Sequence, residues 1–264
     1  MKRLLLTLLL LVAGNTSQAQ DFDHSTWNVL LQKHVVPIGA GHATQVDYGA
    51  MQADRARLKR YLRATSAVSR KQFDHWPKVE QLAFLINAYN AWTVELILTA
   101  YPDLDSIKDL GSLFQSPWSK RFIPLLGEER SLDEIEHKLI RGSGRYREPR
   151  IHFAVNCASI GCPALGPEAY NGARLDQQLQ QATENFLADR SRNRLDGDTL
   201  RVSSIFKWYE EDFEQGWRGA TSLPRFLALY GNALGLSEDD VKQLLDGEID
   251  IDFNDYDWRL NRTP

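Results

Sequence analysis

The sequence predicts an α+β fold, a mostly helical single domain with a small mixed or antiparallel sheet. Apolar residues recur at helical spacing in most segments, and only a few short segments alternate apolar and polar residues as strands do. Helices and strands do not alternate regularly, and no repeat, linker or change in composition divides the chain. The 43% hydrophobic and 10% aromatic content excludes a disordered chain. We therefore expect one domain over residues 20–264.

Residues 1–19 have the pattern of a secretory signal peptide. Lys2 and Arg3 precede an apolar run, and the segment 17–19 carries small residues where a signal peptidase would cleave. The run contains about ten apolar residues, whereas a membrane-spanning helix needs about twenty. No later run is long enough to cross a membrane. We expect an exported protein, periplasmic or secreted, with no transmembrane span after cleavage.

The charge of the mature chain argues against nucleic acid as a partner. The formal net charge is −4, and removal of Lys2 and Arg3 makes it −6. The basic residues are scattered rather than gathered into a patch. The expected partner is an unidentified substrate or a component of the cell envelope. Motifs for serine hydrolases, zinc proteases, nucleotides and dinucleotides are missing from the sequence, so we expect no cofactor.

The predicted elements follow in order along the chain. Helical spacing predicts helices over 22–36, 48–65, 77–100, 131–142, 175–189, 222–234, and from residues 203 and 237. Alternation predicts strands over 151–155, 199–202 and 249–253, and a short extended piece over 45–48. Turn formers and aromatic residues over 102–127 predict a long ordered crossover.

The helix over 77–100 is apolar all round but carries polar residues near one face. Asn87 and Asn90 are three residues apart, and Glu80 lies one heptad before Asn87. A buried asparagine needs hydrogen-bond partners. These side chains either hold the backbone of neighbouring loops or orient a catalytic group or substrate.

The helix over 131–142 begins with a capping box and ends at a glycine. Ser131 and Glu134 have the spacing at which each caps the other's backbone N–H. On this helix Glu136 lies about 50° from the centre of the apolar stripe, and His137 lies about 150° away. We therefore expect Glu136 to be buried and to have a partner.

Residues 150–163 contain both cysteines and form the main candidate site. Small residues follow Cys157, so other groups can approach its sulfur. A nucleophilic cysteine needs a neighbouring base, and His137 and His152 are the nearest histidines in sequence. On a regular strand His152 and Cys157 would point to opposite faces. We therefore rank His137 slightly ahead as the base, with Glu136 or Asn156 as orienting group or oxyanion donor.

Two other interpretations of the cysteines remain open. Cys157 and Cys162 are five residues apart and can form a disulfide if the loop folds back, which an exported location would favour. Cys157 can also be an inert core residue. A zinc site with His137 and His152 is the weakest alternative, because the spacing of typical zinc ligands is missing, and we expect no metal.

Four segments resemble the domain-of-unknown-function family 547 (DUF547). They are LAFLINAYNAWTVELIL at 82–98, SLDEIEHKLIR at 131–141, IHFAVNCASIGCPAL at 151–165 and YDWRLN at 256–261. The polar positions that match the family are Glu80, Asn87, Asn90, Glu136, His137, His152, Asn156, Cys157 and Cys162. The family has no agreed activity, so the resemblance does not decide between enzyme and scaffold.

The leading hypothesis is a cysteine-dependent amide hydrolase or acyl transferase, with a papain-like or transglutaminase-like site. Cys157 would be the nucleophile, His137 or His152 the base, and Glu136 or an asparagine the orienting group. The alternative is a non-catalytic binding or interaction module of the envelope, with Cys157 and Cys162 in a disulfide.

Overall fold

The computed structural model describes residues 21–112 and 114–264. The predicted signal peptide at 1–19 lies outside the described residues. The α-helices are α1 (Ser25–His34), α2 (Tyr48–Ala53), α3 (Arg55–Ser66), α4 (Arg70–His75), α5 (Lys78–Leu98), α6 (Leu175–Ala188), α7 (Ile205–Trp208), α8 (Glu210–Phe213), α9 (Leu223–Ala228), α10 (Gly231–Leu234) and α11 (Glu238–Asp246). A π-helix covers Glu134–Arg141, and short 3-10 helices cover Gly39–Gly41, Ile107–Leu110, Pro117–Ser119, Pro149–Phe153 and Gly172–Arg174.

The strands form three small sheets. They are β1 (Val35–Ile38), β2 (Ala43–Val46), β3 (Ile123–Leu125), β4 (Glu128–Arg130), β5 (Arg194–Asp196), β6 (Thr199–Ser203) and β7 (Asp250–Asn254). β1 pairs with β2 and β3 with β4, both antiparallel. In the third sheet β6 pairs antiparallel with β5 and parallel with β7. The prediction of a mostly helical α+β domain with small sheets is confirmed.

Two apolar clusters form the core, and the cysteine-bearing segment lies between them. The first surrounds α5, which is buried along nearly its whole length. The second contains side chains of α6, β6 and α7 to α9. Ile151 and Val155 belong to the first cluster, whereas Phe153 belongs to the second. The segment with His152 and Cys157 therefore joins the two halves of the core.

The predicted strand over 151–155 is wrong, because this segment forms the 3-10 helix Pro149–Phe153. Proline suits the first turn of a helix, and the Glu148 side chain accepts a hydrogen bond from the N–H of Arg150. Arg150 itself forms ion pairs with Glu148 and Asp176, which fix the turn to α6. The parity argument that separated His152 from Cys157 therefore does not apply.

Most other predicted elements occur close to their expected bounds. Three predicted helices are each divided in two: the segment 48–65 breaks at Asp54, between α2 and α3; the helix from residue 203 breaks at Tyr209, between α7 and α8; and the segment 222–234 breaks between α9 and α10. The predicted strand over 249–253 is β7, at Asp250–Asn254. Its parallel pairing with β6 brings the segment after residue 254 next to the cysteine loop.

His24, which precedes α1, leads to a prediction of pH-dependent stability. Its ring is buried, with Nδ1 2.7 Å from Tyr61 Oη and Nε2 without a partner in the described part of the chain. Burial lowers the pKa of His24 to about 4, from its ordinary 6.5. The unfolded chain therefore binds a proton at His24 more tightly than the folded chain does. The contribution of the neutral, buried ring to the free energy of unfolding is complete above pH 6.5 and is lost as the pH falls toward 4. We expect the free energy of unfolding to fall by about 3 kcal/mol over this interval.

Urea unfolding at a series of pH values measures this change. A His24→Gln variant should show a shallower dependence between pH 6.5 and pH 4. His75→Gln is the control, because that ring lies on the exposed end of α4. If both variants kept the slope of the parent protein, His24 would not be its source.

Candidate functional site

A cavity of about 210 Å³ brings together residues from distant parts of the chain. Its ionisable lining residues are Asp133, Glu136, His137, His152 and Cys157. Its aromatic lining residues are Tyr89, Trp118, Trp208, Tyr209, Tyr256 and Trp258. Val155, Pro163 and Ile205 complete the wall. All four residues predicted as catalytic therefore face one cavity.

The π-helix supplies the acidic wall of the cavity. The predicted capping box is present, since Ser131 Oγ accepts from the N–H of Glu134, and the Glu134 carboxylate accepts from that of Ser131. At the other end the N–H of Gly142 bonds to the carbonyl of His137, five residues back. A Cβ at Gly142 would lie 2.6 Å from that carbonyl oxygen, so glycine permits this closure.

Glu136 and His137 are exposed to different extents, as predicted. Glu136 is 6% exposed, whereas the His137 side chain is 38% exposed. Arg141 Nη1 lies 2.9 Å from His137 Nδ1. Because a guanidinium only donates, His137 Nδ1 is the acceptor and is engaged in this contact.

His152 is held by an aspartate that lies 60 residues further along the chain. Its Nε2 atom is 2.6 Å from Asp212 Oδ2, and the same oxygen accepts a hydrogen bond from Arg141 Nε at 2.5 Å. Although burial opposes the shift, the hydrogen bonds from His152 and Arg141 lower the pKa of Asp212 to about 2. Asp212 is therefore an ionised acceptor for both groups at neutral pH.

The arrangement fixes the tautomer of His152. Burial lowers the pKa of His152, although the contact with Asp212 opposes this shift. The neutral ring donates its Nε2–H to the Asp212 carboxylate, which leaves the lone pair on Nδ1. The Nδ1 atom is buried and has no hydrogen-bond partner among residues 21–112 and 114–264. His152 thus has an unused proton acceptor beside the cavity.

Tyr209 packs between the two basic groups of this network. Its ring stacks on that of His152 with centroids 4.0 Å apart, and the Arg141 guanidinium carbon lies 4.7 Å from the Tyr209 ring centroid. Burial, followed by the neighbouring Glu136 carboxylate, raises the pKa of Tyr209 well above its usual range. Tyr209 therefore stays a neutral hydroxyl that can donate toward Glu136.

The cysteine loop is held by asparagines. Asn90 of α5 donates to the carbonyl of Ala154 and accepts from the N–H of Asn156. Asn156 donates to the carbonyl of Pro163 and accepts from the N–H of Ala158. Both side chains therefore fix the turn around residue 157 through its backbone.

Cys157 and Cys162 form a disulfide, with Cα atoms 5.9 Å apart. The N–H of Cys157 donates to Cys162 Sγ at 2.9 Å. Tyr256 Oη lies 3.1 Å from Cys157 Sγ and 3.3 Å from Cys162 Sγ. Burial raises the pKa of the Tyr256 hydroxyl, so this group is a donor to either sulfur.

The segment after β7 closes this loop. Ile160 and Gly161 donate their N–H groups to the carbonyls of Arg259 and Asp257, and Asn261 donates its own to Ala158. This segment also carries Tyr256 and Trp258, whose rings stand 4.5 Å apart at the cavity wall. The cavity is therefore completed by residues about a hundred positions beyond the cysteines.

Asn87 and Glu80 act on another loop. Asn87 donates to the carbonyl of Tyr170 and accepts from its N–H. The Glu80 carboxylate packs against Gly172, where a Cβ would lie 2.0 Å from Oε1. These two residues hold the entry to α6 rather than a side chain of the cavity. The hydrogen bonds of Asn87 and Asn90 are therefore those of side chains that hold the backbone of neighbouring loops.

Comparison with known proteins relates the central part of the chain to a family model. Residues 73–187 match the family described as Protein of unknown function, DUF547. The resemblance predicted from the sequence motifs is confirmed over this range. Searches of curated proteins and of solved structures found no match. The more detailed prediction of a papain-like or transglutaminase-like arrangement therefore stays a prediction.

The DUF547 match contains only part of the cavity. It includes Glu136, His137, His152 and Cys157, but it ends before Asp212 and before the motif at 256–261. Four of the six aromatic wall residues within the described chain, Trp208, Tyr209, Tyr256 and Trp258, also lie beyond it. The DUF547 region and the segments after it jointly form the site.

Asp212 is the functional residue that sequence reasoning missed. It follows Glu210 and Glu211, and a run of three acids on a short helix is typical of a solvated face. Phe206 and Phe213 on either side of the run are both fully buried, but this does not distinguish Asp212 from the acids before it. Tyr256 belongs to the sequence motif at 256–261, but its contact with the sulfurs was not predicted.

Neither a metal cluster nor a membrane-spanning helix is found among the described residues. No group of three or more His, Cys, Asp or Glu side chains in that part of the chain is arranged to hold a metal ion. The helices described here are too short or too polar to cross a bilayer.

Proposed function

We propose that this protein is a cysteine-dependent amide hydrolase or acyl transferase whose reactive form is reduced at Cys157. The observation that carries the proposal is the state of His152, which lines the same cavity as Cys157: its Nε2–H is bound by Asp212, and its buried Nδ1 has no hydrogen-bond partner in the described part of the chain. A thiol, a neutral imidazole and an orienting carboxylate are the groups that acyl transfer through a thioester needs.

The geometry favours His152 over His137 as the base. His137 Nδ1 is engaged by Arg141, and His137 lies at the exposed edge of the cavity. His152 is 1% exposed as a side chain and is packed between Tyr209 and Phe213, which fixes its ring plane. A fixed ring holds Nδ1 in one position, which proton transfer requires.

The reaction follows from these roles. His152 Nδ1 takes the proton of the Cys157 thiol, and the thiolate attacks the amide carbonyl to form a C–S bond. The C–N bond then breaks, and the leaving amine receives the proton from His152. Water or a second amine next attacks the thioester carbonyl and gives its proton to His152. The C–S bond then breaks, an acid or a new amide is released, and the Cys157 thiolate takes the proton back from His152. The Tyr256 hydroxyl lies 3.1 Å from Cys157 Sγ, and the N–H of Cys157 donates to Cys162 Sγ in the disulfide form; we assign these two donors beside the sulfurs to the oxyanion.

The disulfide makes the oxidised protein a resting form. A dithiol reductant attacks Cys162 Sγ and releases the Cys157 thiolate; its second thiol then displaces Cys162 and leaves as a cyclic disulfide. Two protein thiols and one oxidised dithiol result. We also propose an exported location, in keeping with the signal-peptide pattern of residues 1–19 and with a disulfide, which persists in oxidising compartments.

Alkylation of the two single-cysteine variants tests the proposal. Cys162→Ala leaves Cys157 free without a reductant, and Cys157→Ala leaves Cys162. We expect iodoacetamide to modify Cys157 at least about tenfold faster than Cys162 at pH 7, because Cys157 lines the same cavity as the proposed base His152, whereas Cys162 does not line it. The pH dependence for Cys157 should show a pKa below the ordinary value of about 8.5, and His152→Gln should raise it.

Acylation by p-nitrophenyl acetate tests the chemistry itself. The Cys162→Ala variant should release a burst of nitrophenolate and carry an acetyl group on Cys157, detectable by mass spectrometry. Cys157→Ala is the matched control and should show neither. Equal alkylation of the two cysteines, with no effect of His152→Gln and no acetyl adduct, would contradict a catalytic thiol.

A second candidate function is a non-catalytic binding module of the cell envelope. The observation that favours it is the disulfide, which removes the free thiol and fastens the loop that forms one wall of the cavity. This function predicts that ligand binding is the same before and after reduction. A protein that binds a ligand equally in both states and never forms an acyl-enzyme would have this second function.

A further inference from the structure

The cavity wall combines aromatic faces with carboxylates and has no basic residue other than histidine. Two acids line it, Asp133 and Glu136, whereas no lysine or arginine of the described chain does so. The nearest guanidinium, that of Arg141, is bound by Asp212. A cavity of this charge attracts cations and repels anions.

The aromatic part of the wall is a cluster that presents ring faces. Trp208 and Trp258 are stacked with centroids 5.8 Å apart, and Tyr256 contacts both. Trp208 is 47% exposed, an unusual extent for a side chain of this size. The electron-rich face of an aromatic ring attracts an ammonium or guanidinium group.

Two cations of the protein already use these rings. The Lys108 ammonium lies 3.6 Å from the ring centroid of Trp258, and the Arg141 guanidinium carbon lies 4.7 Å from that of Tyr209. Both residues contact the aromatic wall without lining the cavity. The wall therefore already holds cations, and Trp208, which is largely exposed, offers a ring to a cation from outside.

The size of the cavity sets the kind of cation. At about 210 Å³ it is smaller than the range of roughly 300–1,000 Å³ that encloses a whole drug-sized ligand. It fits the end of a longer molecule, such as an alkyl chain with a terminal ammonium group. Glu136 is the buried carboxylate in the wall, and an ammonium group beside it would have its charge paired.

We propose that the cavity recognises an alkylammonium group of its substrate, held by Glu136 and the aromatic faces of Trp208 and Tyr256. This inference rests on the proposed function for its chemical meaning, since amide cleavage releases an amine and acyl transfer to an amine consumes one. A substrate with a lysine-like side chain or a free amine is the class that meets this requirement.

Titration of the disulfide-bonded protein with butylammonium chloride tests the inference without any turnover. The indole N–H signals of the tryptophans in an NMR spectrum report binding, at constant ionic strength. Butylammonium should bind about tenfold more tightly than 1-butanol, which has the same alkyl chain and no charge. Butyrate should not bind. Trp208→Leu, which keeps an apolar side chain but removes the ring, should weaken binding by about tenfold.

Two glutamates of the π-helix provide a matched pair of variants. Glu136→Gln should weaken butylammonium binding by about fivefold or more, because the paired charge is lost in a buried site. Glu134→Gln should leave the affinity unchanged, since Glu134 is bound to Lys138 and does not line the cavity. Equal effects of the two substitutions would contradict the proposed role of Glu136.

The remaining outcomes are distinct. If cellobiose shifts the tryptophan signals and butylammonium does not, the aromatic wall is a sugar-stacking surface and the inference is wrong. If neither cellobiose nor butylammonium binds, the inference is also wrong. Butylammonium binding without acyl-enzyme formation would refute the proposed function but support the ammonium site. An acyl-enzyme without selective ammonium binding would support the proposed function but refute the ammonium site.

Discussion

Asp212→Ala should lower the free energy of unfolding by about 3–5 kcal/mol, because it leaves the side chains of Arg141 and His152 without their shared acceptor. The aspartate is 16% exposed and receives hydrogen bonds from both residues. His152 would lose the partner of Nε2 while Nδ1 already has none. Urea unfolding at pH 7 measures the loss.

Asp74→Ala is the matched control, since Asp74 pairs with Arg70 at the surface, where both side chains are more than a third exposed. That change should cost less than about 1 kcal/mol. The Asp212→Asn variant keeps the size of the side chain and should raise the pKa of the free Cys157 thiol in the Cys162→Ala background. If Asp212→Ala were as mild as Asp74→Ala, the network would contribute little to folding.

Asn90→Ala should lower the free energy of unfolding by about 2–4 kcal/mol, because it leaves a buried carbonyl and a buried N–H unpaired. The same loss should also reduce the reactivity of Cys157. These groups belong to Ala154 and Asn156, the residues that precede Cys157. Denaturant unfolding measures the first effect, and iodoacetamide alkylation in the Cys162→Ala background measures the second.

Asn87→Ala separates stability from positioning. Asn87 lies one turn before Asn90 on α5 and makes the same pair of hydrogen bonds, but to Tyr170. The Asn87→Ala substitution should lower the free energy of unfolding by a similar amount and leave the rate of Cys157 alkylation unchanged. The positioning role of Asn90 would be refuted if both variants slowed alkylation to the same extent.

Local signals in the sequence predicted the helices and the burial of Glu136. The capping pair Ser131 and Glu134 and the glycine at 142 define a helix from contacts within a few residues. The periodicity of that helix then decided which of Glu136 and His137 faces inward. Such features depend on contacts between residues close in sequence, so the local sequence pattern is enough to predict them.

The features that the sequence did not predict depend on distant partners. The contact of Asp212 with His152 joins residues 60 positions apart, and nothing near Asp212 distinguishes it from the acids before it. The segment 151–155 alternates like a strand, but no strand among residues 21–112 and 114–264 pairs with it, and Pro149 and Arg150 favour a tight turn. The choice between thiol and disulfide likewise depended on how the loop between Cys157 and Cys162 folds.

The π-helix has a consequence for which changes of chain length the site can accept. Each turn of a π-helix holds about one residue more than a turn of an α-helix. Deletion of one residue between Glu136 and Arg141 would let the segment rewind as an α-helix, in which a four-residue turn takes the place of the five-residue turn and Arg141 keeps nearly the same direction toward Asp212. Relatives that keep the arginine and aspartate pair can therefore have one residue fewer here and form an α-helix instead.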